Sequence, residues 1–159
     1  IRENVEMALS CPKSERREAA MRYLDMYHIG ELADRYPSRL SGGQQQRAAL
    51  ARIMASKPEV LMLDEPFSAL DYQTRLAVCD DISSIIKSTH KTAILITHDL
   101  SEAISVADRV IILTSRPGRM KGIVPVSFGE GYVRPLERRN TPEFSTYFNQ
   151  VWKELQTHD

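Results

Sequence analysis

EVLMLDE, residues 59–65, decides the fold. Four apolar residues, Val60 to Leu63, end in the acids Asp64 and Glu65, and Pro58 stands just before them. A run this short, bounded by a helix breaker on one side and acid on the other, predicts a buried strand over 59–64. Two similar runs follow, predicting strands over 92–97 and 109–114. Between the first two, Asp71 is placed to cap a helix carrying Leu76, Cys79, Ile82 and Ile86. Between the last two, a short helix is expected near 100–106. Strand, helix, strand, helix, strand at this spacing predicts an α/β fold: a parallel sheet with crossover helices.

Upstream the chain reads as helical and polar. Ser14 is placed to cap a helix bearing Ala20, Tyr23, Leu24 and Tyr27, with Gly30 as its stop. A second helix is expected from Ser41, where LSGGQQQR (40–47) sets Ser41 and Gln44 at the Ser-x-x-Gln spacing of a capping box. It runs through Ala48, Ala51 and Ala55. Downstream, 116–119 (RPGR) reads as a turn, 121–126 as an edge strand and 129–140 as linker or loop. Thr141-Pro142 opens a last helix with proline at its first position. Phe144, Phe148, Val151, Trp152 and Leu155 line one face of it, which reads as core packing.

Composition narrows the function classes. The 159 residues carry 21 Lys plus Arg against 21 Asp plus Glu, so there is no net positive charge to draw nucleic acid. The longest apolar runs are four residues, far short of the ~18 a membrane span needs. Cys11 and Cys79 lack metal-type spacing and read as plain thiols of a reducing compartment.

Chemistry concentrates at three places. Asp64 and Glu65 end a predicted strand, where ligands bind in open parallel sheets. Asp64 suits a magnesium ion, and Glu65 suits orienting or deprotonating a water. His98 ends the next strand on the same edge and can donate a hydrogen bond to a phosphate oxygen. The helix start at Ser41 offers free N–H groups and the positive end of the helix dipole, a natural phosphate site. Gly42 and Gly43 leave the backbone open to close approach there, at a helix cost of roughly 1 kcal/mol each relative to alanine.

These motifs resemble the ATP-binding cassette (ABC) ATPases. Leu40-Ser41-Gly42-Gly43-Gln44 resembles the signature motif, 60–65 the Walker B motif with its catalytic glutamate, and Ser68-Ala69-Leu70-Asp71 the D-loop. His98 falls where the family has its switch histidine. The resemblance covers at least 36–108. It implies that Glu65 activates the hydrolytic water, Asp64 supports Mg2+ through water, and His98 contacts the γ-phosphate of ATP. It implies that Ser41, Gly42, Gly43 and Gln44 bind the nucleotide held by the opposite subunit of a head-to-tail dimer. Asp71 would carry information across that dimer.

Of the seven glycines none is followed by lysine, so no phosphate-cradling Gly-x-x-x-x-Gly-Lys-Ser/Thr loop is present. The family's glutamine loop and aromatic adenine stacker are absent too, and Ile1-Arg2-Glu3-Asn4-Val5 resembles the stretch that follows the glutamine loop in importers. The expectation is a P-loop NTPase-like fold, incomplete at its front: 1–40 as the remnant of a helical subdomain, 41–128 as the carboxyl-side part of the ATPase core, 129–159 as a linker and helix. Such a chain is expected to be inactive alone, its parent an ATPase using ATP and Mg2+.

The resemblance further implies an importer subunit, cytoplasmic and peripheral on the inner face of the membrane. It would work with separate permease subunits and, indirectly, a solute-binding protein. Residues 114–119 resemble the nitrate, sulfonate and taurine group. The region 3–29, with Tyr23, Met26 and Tyr27, is where a permease would dock if those side chains are not internal packing. The alternatives are an ABC ATPase acting on DNA or ribosomes, or a regulatory subunit that binds nucleotide without hydrolysing it.

Overall fold

In the computed structural model, which describes residues 1–129, 131, 132 and 134–156, the chain divides into two compact units. The first comprises Ile1–Leu61 and Pro66–Ile82. It holds α1 (Arg2–Glu6), α2 (Lys13–Met26) and α3 (Gly42–Ala55), with single 3-10 turns at Gly30–Leu32 and Pro37–Arg39. The three helices pack on one another around Val5, Ala20, Leu24, Tyr27, Leu50 and Ala51. Burying each of Val5, Leu24 and Leu50 contributes roughly 1.5–3 kcal/mol.

The first helical segment departs from its expected boundaries. Pro12, not Ser14, stands at the N-cap of α2, and the helix ends at Met26, before Gly30. Proline fixes φ and prefers the helix entrance, which outranks a serine two residues too late. At α3 the expectation holds in full: the Gln44 N–H donates to Ser41 Oγ at 3.4 Å and the Ser41 N–H to Gln44 Oε1 at 3.0 Å.

Next come β1 (Val60–Asp64), α4 (Tyr72–Ser88) and β2 (Thr92–Ile96), with β1 and β2 neighbours in a two-stranded sheet joined by the α4 crossover. Asp71 opens α4, accepting the Thr74 N–H at 3.0 Å. Then follow α5 (Leu100–Val106), β3 (Arg109–Leu113), β4 (Met120–Pro125), α6 (Pro135–Arg139) and α7 (Pro142–Gln156). The third expected strand pairs differently: β3 lies antiparallel to β4 in a sheet of its own, with Val110 opposite Val124 and Ile111 opposite Ile123. A turn of a few residues brings β4 beside β3 at little entropic cost, whereas β2 reaches β3 only across α5.

The second unit comprises Met62–Glu65 and the residues from Ser83 onward. Its core gathers Ile104, Val110, Ile112, Val124, Val126 and Val151, with Phe144, Tyr147 and Phe148 against it. Tyr147 donates its hydroxyl to the Ser127 carbonyl at 3.0 Å and stacks edge-on to Phe128. The α7 stripe therefore splits: Phe144, Phe148 and Val151 pack inward, while Trp152 and Leu155 are exposed. The stretch expected as linker contains α6, started by Pro135 and tied by Arg138, whose Nη1 donates to the Ser105 carbonyl at 3.1 Å.

The strands are not buried on both faces as expected. Met62 is 67% exposed and Leu113 61%, with Val60, Ile94, Ile96, Ile111, Met120 and Ile123 also open to solvent. Alternate residues point to opposite faces, and among the described residues nothing covers the second face. Both cysteines are free, Cys11 half-buried and Cys79 buried.

Candidate functional site

The chain turns sharply where β1 ends. Glu65 adopts φ +47°, a left-handed conformation unusual for a residue with a side chain. Its N–H still donates to the Ile96 carbonyl of β2 at 2.8 Å, so the bend falls where the strand's last ladder bond is made. The result is a carboxylate aimed along the strand ends. Glu65 Oε1 accepts the His98 backbone N–H at 3.0 Å and lies 2.7 Å from His98 Nδ1. Two residues separated by 33 positions thus meet at the ends of two neighbouring strands.

The hydrogen bond that Glu65 accepts, reinforced by its negative charge, holds the His98 imidazole above the ordinary histidine range. Asp99 and Glu102 push weakly the same way. The ring itself is 82% exposed and so is reachable by a ligand. Glu65 at this position can accept a proton from water, and His98 can donate a hydrogen bond from its outer nitrogen.

Asp64, exposed at the end of β1, is placed beside Glu65. Among the described residues no three histidine, cysteine or carboxylate side chains gather into a metal cage. A single carboxylate at an open strand end fits magnesium, which keeps most of its waters and takes phosphate oxygens, and does not fit a cation needing an all-protein cage.

The glycine pair lies in the other unit. A Cβ on Gly42 would stand 2.9 Å from Leu70 Cδ2, and one on Gly43 would stand 3.0 Å from Thr74 Cγ2 and 3.1 Å from Val78 Cγ2. Glycine therefore lets the start of α3 sit close against the 70–78 segment without displacing these side chains, a packing reason beside any role toward phosphate. One turn on, Arg47 forms an ion pair with Asp81 of α4. Gly42 and Gly43 thus lie against the segment that Asp71 opens; the carboxyl of Asp71 is held low by the Thr74 hydroxyl and amide.

The family profile described as ABC transporter matches residues 1–68. Across 158 residues, 98% of this chain, an uncharacterised ABC transporter ATP-binding protein of Bacillus subtilis is 39% identical. This chain resembles the ATP-binding proteins of ABC transporters. A bicarbonate transport ATP-binding protein of Synechococcus elongatus is 36% identical over 155 residues, 94% of this chain and 23% of its own length. The chain spans 61% of the Bacillus relative. Among solved ABC structures, an ATP-binding cassette captured as a dimer in a post-hydrolysis state with ADP and Pi is similar at TM-score 0.63 and 30% identity, covering 80% of this chain and 57% of that one. A metal-chelate type ABC transporter in an inward-facing conformation gives TM-score 0.63 at 28% identity, over 75% and 51% of the two chains.

Within this chain the structure joins Glu65 to His98 and, separately, the start of α3 to the 70–78 segment. Sequence reading missed Thr97 and Glu102. Thr97 Oγ1 donates to Glu102 Oε2 at 2.8 Å and accepts the Asp99 N–H at 3.0 Å. The Asp99-x-x-Glu102 spacing was the available signal, since an acid three residues after an N-cap marks a helix start. Of the docking residues, Tyr27 is buried, while Tyr23 and Met26 line a groove of about 490 Å3 with Leu9, Cys11 and Arg22. No described helix is long and apolar enough to cross a membrane.

Proposed function

We propose that this chain is the carboxyl-side part of an ATPase subunit that drives a membrane importer. The observation that carries the reading is the Glu65–His98 contact at two strand ends, directly after an acid placed for Mg2+. The bare apolar face of the strands supports the rest: it suits a sheet completed by a phosphate-loop half, as does the length of the relatives.

In this reading Glu65 takes a proton from the attacking water, and His98 donates a hydrogen bond to the γ-phosphate. Bound Mg2+, held through water by Asp64, supplies positive charge to the phosphate oxygens. Ser41, the Gly42 and Gly43 amides and Gln44 face the nucleotide of a second subunit, and Asp71 lies at that junction. Phosphoryl transfer of this kind is positioning plus charge stabilisation. Permease subunits dock on the helical unit, a solute-binding protein acts through them, and the subunit sits on the cytoplasmic face of the membrane. The segments 1–40, 41–128 and 129–159 are respectively helical subdomain, ATPase core and carboxyl-terminal extension. Parallels at 114–119 point to the nitrate, sulfonate and taurine group.

Glu65→Gln in the full-length protein tests this. The expected result is ATP bound and not turned over, with loss of roughly 10²–10⁴-fold in rate, the range of a general base. Wild-type turnover in that variant would refute the assignment. For this chain alone, titration calorimetry is expected to show no micromolar ATP binding.

A further inference from the structure

Glu102 is a carboxylate left with 2% of its surface exposed, on a short helix packed into an apolar core. A buried charge is costly unless it is bonded, and an apolar side chain would fill the place more cheaply. Glu102 Oε2 accepts the Thr97 hydroxyl at 2.8 Å. That hydroxyl in turn accepts the Asp99 N–H at 3.0 Å, and Asp99 Oδ1 accepts the N–H groups of Ser101 and Glu102 at 2.8 and 3.2 Å. The bonds close a loop around one residue. His98 stands between Thr97 and Asp99, both of them tied, and its own N–H and Nδ1 meet Glu65.

His98 has no packing of its own to hold it, since its ring lies in solvent. Its direction is set by the backbone turn that carries it. We propose that Glu102 is a positioning residue for His98: through the Thr97 hydroxyl it fixes the 97–99 turn and so holds the imidazole against Glu65. Thr97 is the link. Its hydroxyl gives its one proton to Glu102, which leaves its lone pairs for Asp99. Without Glu102 the hydroxyl is free to rotate, and the turn loses its anchor to α5. The role in turnover rests on the ATPase reading above; the role in placing the ring does not.

The test uses 15N-histidine NMR at one fixed pH on the full-length protein, together with steady-state ATPase kinetics. The variants are Glu102→Leu, Glu102→Gln and Thr97→Val. In the wild type, His98 Nδ1 is expected to show the shift of a hydrogen-bonded nitrogen, abolished by Glu65→Gln. Glu102→Leu and Thr97→Val are expected to abolish it also, while Glu102→Gln, whose amide oxygen can accept from Thr97, retains it. The same two disruptive variants are expected to lower kcat about tenfold, the equivalent of one lost hydrogen bond, at unchanged KM for ATP. Thr97→Val keeps side-chain shape at a partly exposed position, so it decides the matter if Glu102→Leu does not fold. An unaltered His98 signal in folded Thr97→Val overturns the proposal and leaves the Glu65–His98 site standing. No bonded Nδ1 in the wild type overturns both. A protein with the NMR pattern and no ATPase activity overturns the functional reading alone.

Discussion

The helix start at Ser41 and the strand ends at Glu65 and His98 are both polar sites on an apolar frame, built by opposite means. The first is closed: Ser41 and Gln44 satisfy each other's backbone, and Gly42 and Gly43 fit against Leu70, Thr74 and Val78, where a Cβ would crowd the facing side chains. The second is open. Its backbone is in a left-handed conformation at Glu65, and its histidine is solvent-exposed and held by hydrogen bonds. Packing sets position in one, polar contacts in the other, so the two should fail differently. Damage to the first should unfold the helical unit, whereas damage to the second should spare the fold and remove chemistry.

The largest effect expected is on activity. His98→Ala in the full-length protein should cut ATP turnover by roughly 10²-fold, the low end for loss of one preorganised hydrogen-bond donor to a reacting group, with little change in thermal midpoint. A large fall in midpoint would show that the open site also holds the fold. Gly43→Val should do the reverse, because its methyls enter space held by Thr74 and Val78. Overpacking of this kind costs about 1–3 kcal/mol, measurable by urea unfolding of the variant. Unchanged stability would mean that α3 can lift from α4 freely and that the closed site is looser than its distances say.

Ser41→Ala is a smaller break in the same place. Loss of the cap should cost about 1 kcal/mol, and Ser41→Gly only a few tenths, so the pair of variants separates the cap from the glycine packing. The smallest effect belongs to pH. Because Glu65 raises the folded-state value of His98, the ion pair contributes fully below the ordinary histidine range and is lost as pH rises through the raised value. NMR titration should find His98 above a free histidine and Glu65→Gln should return it; salt should weaken the difference, since the ring is exposed.

Much of this was legible in the chain, and the parts that were share one property. The capping box at Ser41 and Gln44, the Asp71 cap and the entry of α7 at Pro142 depend on neighbours within four residues. The positions of the strands were legible for the same reason. Their partners were not: β3 joins β4 rather than β2, because pairing is decided by the whole sheet and not by the strand. Burial was misread likewise. A run such as Val60–Leu63 signals a strand made for two covered faces, but it carries no record of what supplies the cover.

The site was legible as residue types and not as geometry. Asp64, Glu65 and His98 could be named, and nothing in the spacing of Glu65 and His98 required one oxygen to accept from both the amide and the ring of the same histidine. Thr97 and Glu102 went unread because a buried glutamate looks like any surface acid until its exposure is known.

The left-handed backbone at Glu65 sets two kinds of selection against each other. A library of all substitutions there, screened for resistance to heat, should be won by glycine or asparagine, which hold that conformation at little cost. The same library screened for growth that depends on the transporter should return glutamate. Glutamate would then rank below glycine and asparagine in one contest and first in the other, and the distance between the two rankings would measure how much stability the chain gives up to aim one carboxylate.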